Sequence, residues 1–354
     1  MTLQTRVTAV NVSSAADMLT EQATHVSHWA EERGLSLSAT KSSVTPDKWH
    51  QSHLHPSVTL GNHPLQRNPK ILDVTFIPHL YFHKHAEDLH SRSAPRLNLI
   101  RALAGTTWGQ QVETMVITYK SFIRSLCSYA APVWFPNITT ASLNKLQVVQ
   151  NNALRIATGC VKRTDVHHLH DETKVLPVSN HLSLICSQFL ARALQPTHAT
   201  HQAVTTPPGP RSMKKTLQSR VYSRVESYTV NGIVPRATYR STIGSIHTDA
   251  VAQVLASYRD NRVLGTRPPE IAPEEASLPR AHRVALSRLC SGHSPVLNSY
   301  LMAIESPMAM AQSDLCPVCR SEAHTTGHIF VCPAHPTPLT TIDCGRNPAL
   351  WHAS

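Results

Sequence analysis

The stretch QQVETMVITYKSFIRSLCSYA, residues 110 to 130, decides the fold class of this chain. Its apolar positions Val112, Met115, Tyr119, Phe122, Ile123 and Leu126 recur at helical spacing and form one stripe. A lone helix with such a stripe has nothing to bury it against, so the stripe demands helical partners. Pro132 is expected to stop this helix, and a partner follows it. From Thr140 to Ala157, Leu143, Leu146, Ala153 and Leu154 face one way, and Gly159 suits the left-handed residue that ends a helix. Helical patterning starts near residue 86, so residues 86 to 194 read as one helical domain.

Toward the N-terminus, residues 14 to 33 carry Leu19, Ala23, Val26 and Ala30 on one face, with Ser13 or Ser14 as the cap and Gly34 as the stop. The period then shortens. LSLS at 35 to 38, the SVTL segment before Gly61-Asn62, and KILDVTFI at 70 to 77 read as short strands. Residues 1 to 85 are therefore expected to pack a helix on a small antiparallel sheet, and the whole chain to be α+β and mainly α-helical.

Downstream, QPTHATHQAVTTPPGPRS, residues 195 to 212, has no period and reads as linker. Between 201 and 240 the cations Arg211, Lys214, Lys215, Arg220, Arg224, Arg236 and Arg240 face a single acid, Glu226, which makes residues 195 to 240 a basic Pro/Thr-rich linker. Helices around 248 to 259 and 280 to 304, separated by RPPEIAPEEASLP, make residues 241 to 312 a helical connector. Residues 313 to 354 remain as a terminal module.

Lys and Arg outnumber Asp and Glu by 33 to 22, a net charge of +11 that favours a polyanionic partner, RNA or DNA held without sequence preference. No window reaches the ~18 to 20 apolar residues of a membrane span, and the first residues lack a signal-peptide core. The expectation is an intracellular protein, in nucleus or cytoplasm, with no membrane partner. Four of the eight cysteines fall between 316 and 344, a crowding that in a reducing compartment points to metal.

That crowding is CPVCRSEAHTTGHIFVC, residues 316 to 332. Cys316 and Cys319 share one turn, while His328 and Cys332 stand one helical turn apart, so three thiolates and an imidazole form a tetrahedral set suited to Zn2+. Four protein ligands leave no open position, which makes the expected zinc structural. His324, His335 and Cys344 stand close enough in sequence to replace a ligand. Two other motifs carry less. GHSPV around Ser294 lacks the final glycine and the preceding strand of a nucleophile elbow. DVHHLHDE, residues 165 to 172, matches no zinc-hydrolase spacing and reads as a polar, partly buried loop, with adventitious metal binding as its second reading. The chain has no glycine-rich phosphate loop, so no catalytic residue is assigned.

The order of segments resembles a known family. WAEERGLSLSATKSSV, KILDVTF, LNLIRALAGTTWGQ, TYKSFIRSLCSYAAPVWFP, LNKLQVVQNNALRIATGC and HLHDETKVLPV together are similar to the region after the active site of non-LTR retrotransposon reverse transcriptases. RLCSGHSPVLNSYL followed by CPVCRSEAHTTGHIFVCP resembles the C-terminal tail of the Jockey-like members. The resemblance implies the closing part of a polymerase palm over residues 1 to 85, a thumb-like bundle over 86 to 194, and a CCHC module at the end. It places Lys41 at the palm lysine near nucleotide phosphates and KILDVTF, headed by Lys70, at the primer grip, with Asp73 where the family has glycine. The metal-binding aspartates of the family precede the matched region. The expectation is thus a truncated RNA-directed DNA polymerase, inactive alone, that retains nucleic-acid binding through Lys41, Lys70, Lys214, Lys215, Arg220 and Arg224; Mg2+ belongs only to the full-length enzyme. A decayed reading frame and a host-adopted protein-interaction adaptor are the alternatives.

Overall fold

The computed structural model describes residues 5–44, 57–61, 63–65, 69–77, 81–207, 215–261, 263, 265, 276–305 and 313–341; Lys214, Arg211 and Cys344 lie outside these. The stripe between 110 and 130 is helical, with one irregularity. Helix α3 (Val112–Tyr119) runs through a π turn (Lys120–Arg124) into α4 (Ser125–Ser128). The wider turn shifts the register, so Ile123 continues the buried face of Met115 and Tyr119 while Phe122 is left exposed. Phe122 instead meets the Arg96 guanidinium 4.7 Å above its ring, and Arg96 Nη1 donates to the Phe122 carbonyl. The helix breaks at Ala130, whose φ of +51° is left-handed. Pro132 then sits in the first turn of α5 (Ala131–Trp134), where its missing N–H costs nothing, so it starts a helix where it was expected to end one.

Helices α2 (His83–Leu103), α6 (Thr140–Thr158), α7 (Val166–Thr173) and α8 (Val178–Ala193) complete the bundle. α6 touches α2, α3, α7 and α8, and its Leu143, Leu146, Ala153 and Leu154 are buried as the sequence requires. The Thr139 hydroxyl caps its start by accepting from the Ser142 N–H, and Gly159, at φ +72°, ends it. Several polar groups inside the bundle are hydrogen-bonded to one another or to backbone. Tyr119 Oη donates to Gln150 Oε1 at 2.5 Å, Gln150 Nε2 donates to the Leu176 carbonyl at 2.9 Å, and His170 Nδ1 donates to the Val175 carbonyl at 2.8 Å.

The stretch read as linker joins this core. α9 (His201–Thr205) and α10 (Leu217–Val221) pack on α8, and Val221, Val225 and Val234 are buried with the bundle residues. The next helix, α11 (Tyr239–Ser257), starts at Tyr239, well before residue 248, and buries Ile246 and Ala250 against the same core. Three spaced valines and a Thr216 cap, which accepts from the Ser219 N–H at 3.0 Å, outweigh the turn-rich composition.

At the N-terminus α1 (Val12–Glu31) is capped by Asn11, which accepts from the Ser14 N–H at 2.7 Å, and ends at Gly34 with φ +67°. LSLS is not a strand; it leads into a 3-10 turn at Ala39–Lys41. The strands β1 (Thr59–Leu60) and β2 (His63–Pro64) form one antiparallel hairpin, and β3 (Lys70–Ile71) and β4 (Val74–Thr75) another. KILDVTFI thus folds back on itself, because Leu72 and Asp73 take φ of +47° and +65° in a two-residue turn. The Asp73 carboxylate meets Arg92 at 2.6 Å and Lys70 at 3.1 Å. The Arg92 bond, seconded by Lys70, holds its pKa below the ordinary carboxylate value. The architecture is mainly α-helical, with these two small antiparallel sheets among the described residues. None of its described helices is long and apolar enough to cross a membrane.

At the C-terminal side the segment 280 to 304 is two helices, α12 (Arg280–Cys290) and α13 (Asn298–Ala303), separated at Gly292 with φ +71°. Arg280, 4% exposed, donates to four carbonyls: Nε to Gly105 at 2.6 Å, Nη1 to Gln110 at 2.8 Å and Ala157 at 3.0 Å, and Nη2 to Ile156 at 2.9 Å. Two of these belong to the last turn of α6, whose carbonyls have no partner within the helix. Arg280→Met is expected to cost on the order of 3 kcal/mol, because buried acceptors lose a charged donor, and Arg280→Lys to recover only part of it. The denaturant midpoint of each variant checks this.

A second test concerns acid. Burial lowers the His170 pKa from 6.5 to about 4, so the folded chain holds the ring neutral where the unfolded chain protonates it. Stability is complete above the unfolded value of 6.5 and falls as pH drops from there toward about 4. Melting temperature measured across that window should decline, and His170→Gln should flatten the decline.

Candidate metal centre

The terminal module is built from a short loop and one turn of helix. A bridge between Leu315 and Ala323 closes the loop, with the Cys316 N–H donating to the Glu322 carbonyl at 2.7 Å. Inside it the Cys316-Pro-Val-Cys319 turn reverses the chain, and Arg320 takes a left-handed φ of +57°. Helix α14 (Thr326–Val331) follows, capped by the Thr325 hydroxyl, which accepts from the His328 N–H at 3.2 Å. His328 sits in that helix and Cys332 just past its end, so both side chains return to the CxxC turn.

The four ligand atoms of Cys316, Cys319, His328 and Cys332 all lie within 4.8 Å of one another, a group that can hold a metal ion. Cys319 Sγ is 3.2 Å from His328 Nε2, and Cys316 Sγ is 3.9 Å from Cys332 Sγ. Cys316, His328 and Cys332 are buried. The Glu322 carboxylate accepts from His328 Nδ1 at 3.1 Å, which fixes Nε2 as the nitrogen facing the sulfurs. The surroundings also prepare the thiolates. A bond from the Ser321 hydroxyl at 3.1 Å, joined by the Ser321 N–H, brings the Cys319 pKa down to about 6. The Cys319 N–H does the same for Cys316, whereas burial raises Cys332. The donor set is compatible with zinc and, having four protein ligands, leaves no position for a reacting water.

Of the alternative ligands, His324 and His335 are not among the four gathered atoms, and Cys344 lies outside the described residues. His324 uses Nδ1 to accept from the Asn298 N–H at 3.4 Å, and His335 is exposed. The module docks on its neighbours through Thr326, which donates to the Leu289 carbonyl at 3.1 Å, and through Ser299, which donates to the His324 carbonyl at 2.7 Å.

The cations assigned from the sequence have separate settings. Lys41 is exposed at the end of its turn, and Lys70 is held between Asp73 at 3.1 Å and Asp88 at 3.4 Å. Lys215 is exposed, with its backbone tied to the Asn137 side chain. Arg220 lies 5.1 Å above the Phe135 ring, and Arg224 is half-buried with Nη1 lacking a hydrogen bond. Sequence reasoning missed another group. Lys120 and Arg124 project from the π turn toward His181 of α8, which also feels His247 of α11, and no carboxylate pairs with either cation among the described residues. Burial first, then the charges of Arg124, Lys120 and His247, pushes His181 down to about 4. The signal was legible, because no Asp or Glu stands between Glu113 and Asp165.

The run DVHHLHDE is a helix, not a loop: the Asp165 carboxylate caps α7 by accepting from the His167 N–H at 2.7 Å, and His168 and His170 are buried. Against known proteins, no family model, no curated protein and no solved structure matches the chain.

The CCHC group of the purified full chain is expected to hold one metal ion, which Cys319→Ser and Cys332→Ser each remove. Mass-spectrometric metal analysis after purification without chelator measures it; no metal lost in these variants contradicts the assignment.

Proposed function

We propose that this protein binds RNA or DNA without sequence preference, as a relative of the region after the active site of non-LTR retrotransposon reverse transcriptases, with a C-terminal module stapled by a structural Zn2+. The observation that carries the reading is the Lys120 and Arg124 pair. Two partly buried cations four residues apart, with His181 beside them and no carboxylate paired with either among the described residues, repel one another unless an anion joins them. Nucleic-acid phosphates supply such anions, and contact with them is positional, not sequence-reading. The net charge of +11 adds long-range attraction. An intracellular setting belongs to the same reading.

Polymerisation is no part of it. Among the described residues, Asp17, Glu21, Glu31 and Glu32 are exposed on α1 and its end, and Asp73 is held by Arg92 and Lys70. None forms the paired-carboxylate site that two-metal phosphoryl transfer uses.

Electrophoretic mobility shift of the full chain at about 50 mM salt should show binding to single- and double-stranded nucleic acid, with affinity falling steeply as salt rises. Lys120→Gln combined with Arg124→Gln should lower the logarithmic salt slope by about 2 while leaving the melting temperature unchanged or higher, since it removes a like-charge repulsion. Binding absent at low salt, or insensitive to salt, contradicts the reading.

A further inference from the structure

A second group of metal-ligating side chains lies inside the bundle, far in sequence from the terminal module. Cys160 follows Gly159 at the end of α6, and His168 and Glu172 occupy successive turns of one face of α7. Their ligand atoms lie within 4.8 Å of one another. Cys160 and His168 are each 7% exposed, and the Glu172 side chain is 11% exposed.

The way these atoms meet is informative. His168 Nε2 and Glu172 Oε2 are 3.1 Å apart, yet both are buried without a hydrogen-bond partner. They face each other as an ion pair, and the Cys160 thiol lies within 4.8 Å of both. Two buried polar atoms that meet as an ion pair without a hydrogen bond are held less well than both would be by an ion between them. The outer contacts suit ligands held from behind. The Asn261 amide meets His168 Nδ1 at 2.8 Å, and Ser287 Oγ donates to Glu172 Oε1, leaving Oε2 on the side of His168 Nε2. The Asn261 amide oxygen accepts from the Val263 N–H at 2.8 Å, so a metal on Nε2, which places the ring proton on Nδ1, requires that amide to turn over and release Val263. Arg283 and Ser287, one turn apart on α12, both lie on the carboxylate side.

The geometry points to a second, buried transition-metal site at Cys160, His168 and Glu172, with a sulfur, nitrogen and oxygen donor set of the zinc class. One thiolate and one carboxylate balance a divalent charge, and three protein ligands leave the fourth tetrahedral position to a water. Such an ion ties the end of α6 to α7, and through Ser287 to α12.

The test is metal stoichiometry on the full chain. After saturation with zinc and removal of the excess, two equivalents are expected. Cys316→Ser with Cys319→Ser should leave one, and adding Cys160→Ser or His168→Gln to that chain should remove it. Cobalt substitution gives an independent reading: in the Cys316→Ser, Cys319→Ser chain, a thiolate-to-cobalt charge-transfer band should be present and should vanish with Cys160→Ser. A single equivalent in the wild-type chain that disappears with Cys316→Ser and Cys319→Ser overturns the second site. So does a cobalt-binding Cys316→Ser, Cys319→Ser chain with no thiolate band. Neither outcome bears on nucleic-acid binding, which Lys120 and Arg124 test separately.

Discussion

The guanidinium of Arg280 is the contact on which the arrangement of the C-terminal half depends. Its donors reach carbonyls in the loop after α2 and in the last turn of α6, elements more than 100 residues earlier in the chain. A flat, permanently charged fork can satisfy several acceptors at once, which no other side chain does in the same space. Through it α12 is seated on the bundle, and α12 in turn presents Arg283 and Ser287 to α7 and the Leu289 carbonyl to the terminal module. The CCHC loop therefore hangs on a chain of contacts that begins at one buried cation.

Charge is distributed unevenly along this protein, and the unevenness has structural meaning. Near the sheet, Lys70, Asp73, Asp88 and Arg92 form a mutually neutralising set that fastens a hairpin to α2. Such exposed pairs contribute little each, roughly 0 to 1 kcal/mol, and mainly fix orientation. On the π turn, Lys120 and Arg124 have no carboxylate partner among the described residues. The same residue types thus serve as internal fasteners in one region and as an unneutralised face in another, and only their neighbours distinguish the two roles.

Much of this was legible in the sequence. The stripes of α1, α3 and α6, the glycines that end α1 and α6, and the four ligands of the terminal module are local patterns with local causes. What escaped depended on contacts distant in sequence. Phe122 followed the right period, but the π turn moved it to the surface. Val221, Val225 and Val234 were hidden in turn-rich text because their partners lie on α8. Arg280 looks in sequence like any exposed helix-start cation, and His168 meets Cys160 only once α7 has formed. Pro132 and the KILDVTFI hairpin show a further limit: the residue that breaks one element often begins another, and the turn was written with Leu72 and Asp73 where a glycine would have announced it.

Gly159 has an implication of a different kind. A Cβ there would stand 2.5 Å from Val284 Cγ1, so α12 approaches the end of α6 as closely as it does only because one carbon is missing. Its carbonyl also accepts from Arg288 at 2.8 Å, so the position is held from both sides. Exposed residues of this chain can drift freely, whereas almost any mutation of that codon pushes two helices apart. The history of selection on this protein is therefore written most plainly at Gly159: a lineage that still uses the folded chain keeps the glycine, and a lineage that has abandoned it loses the glycine as readily as any surface residue.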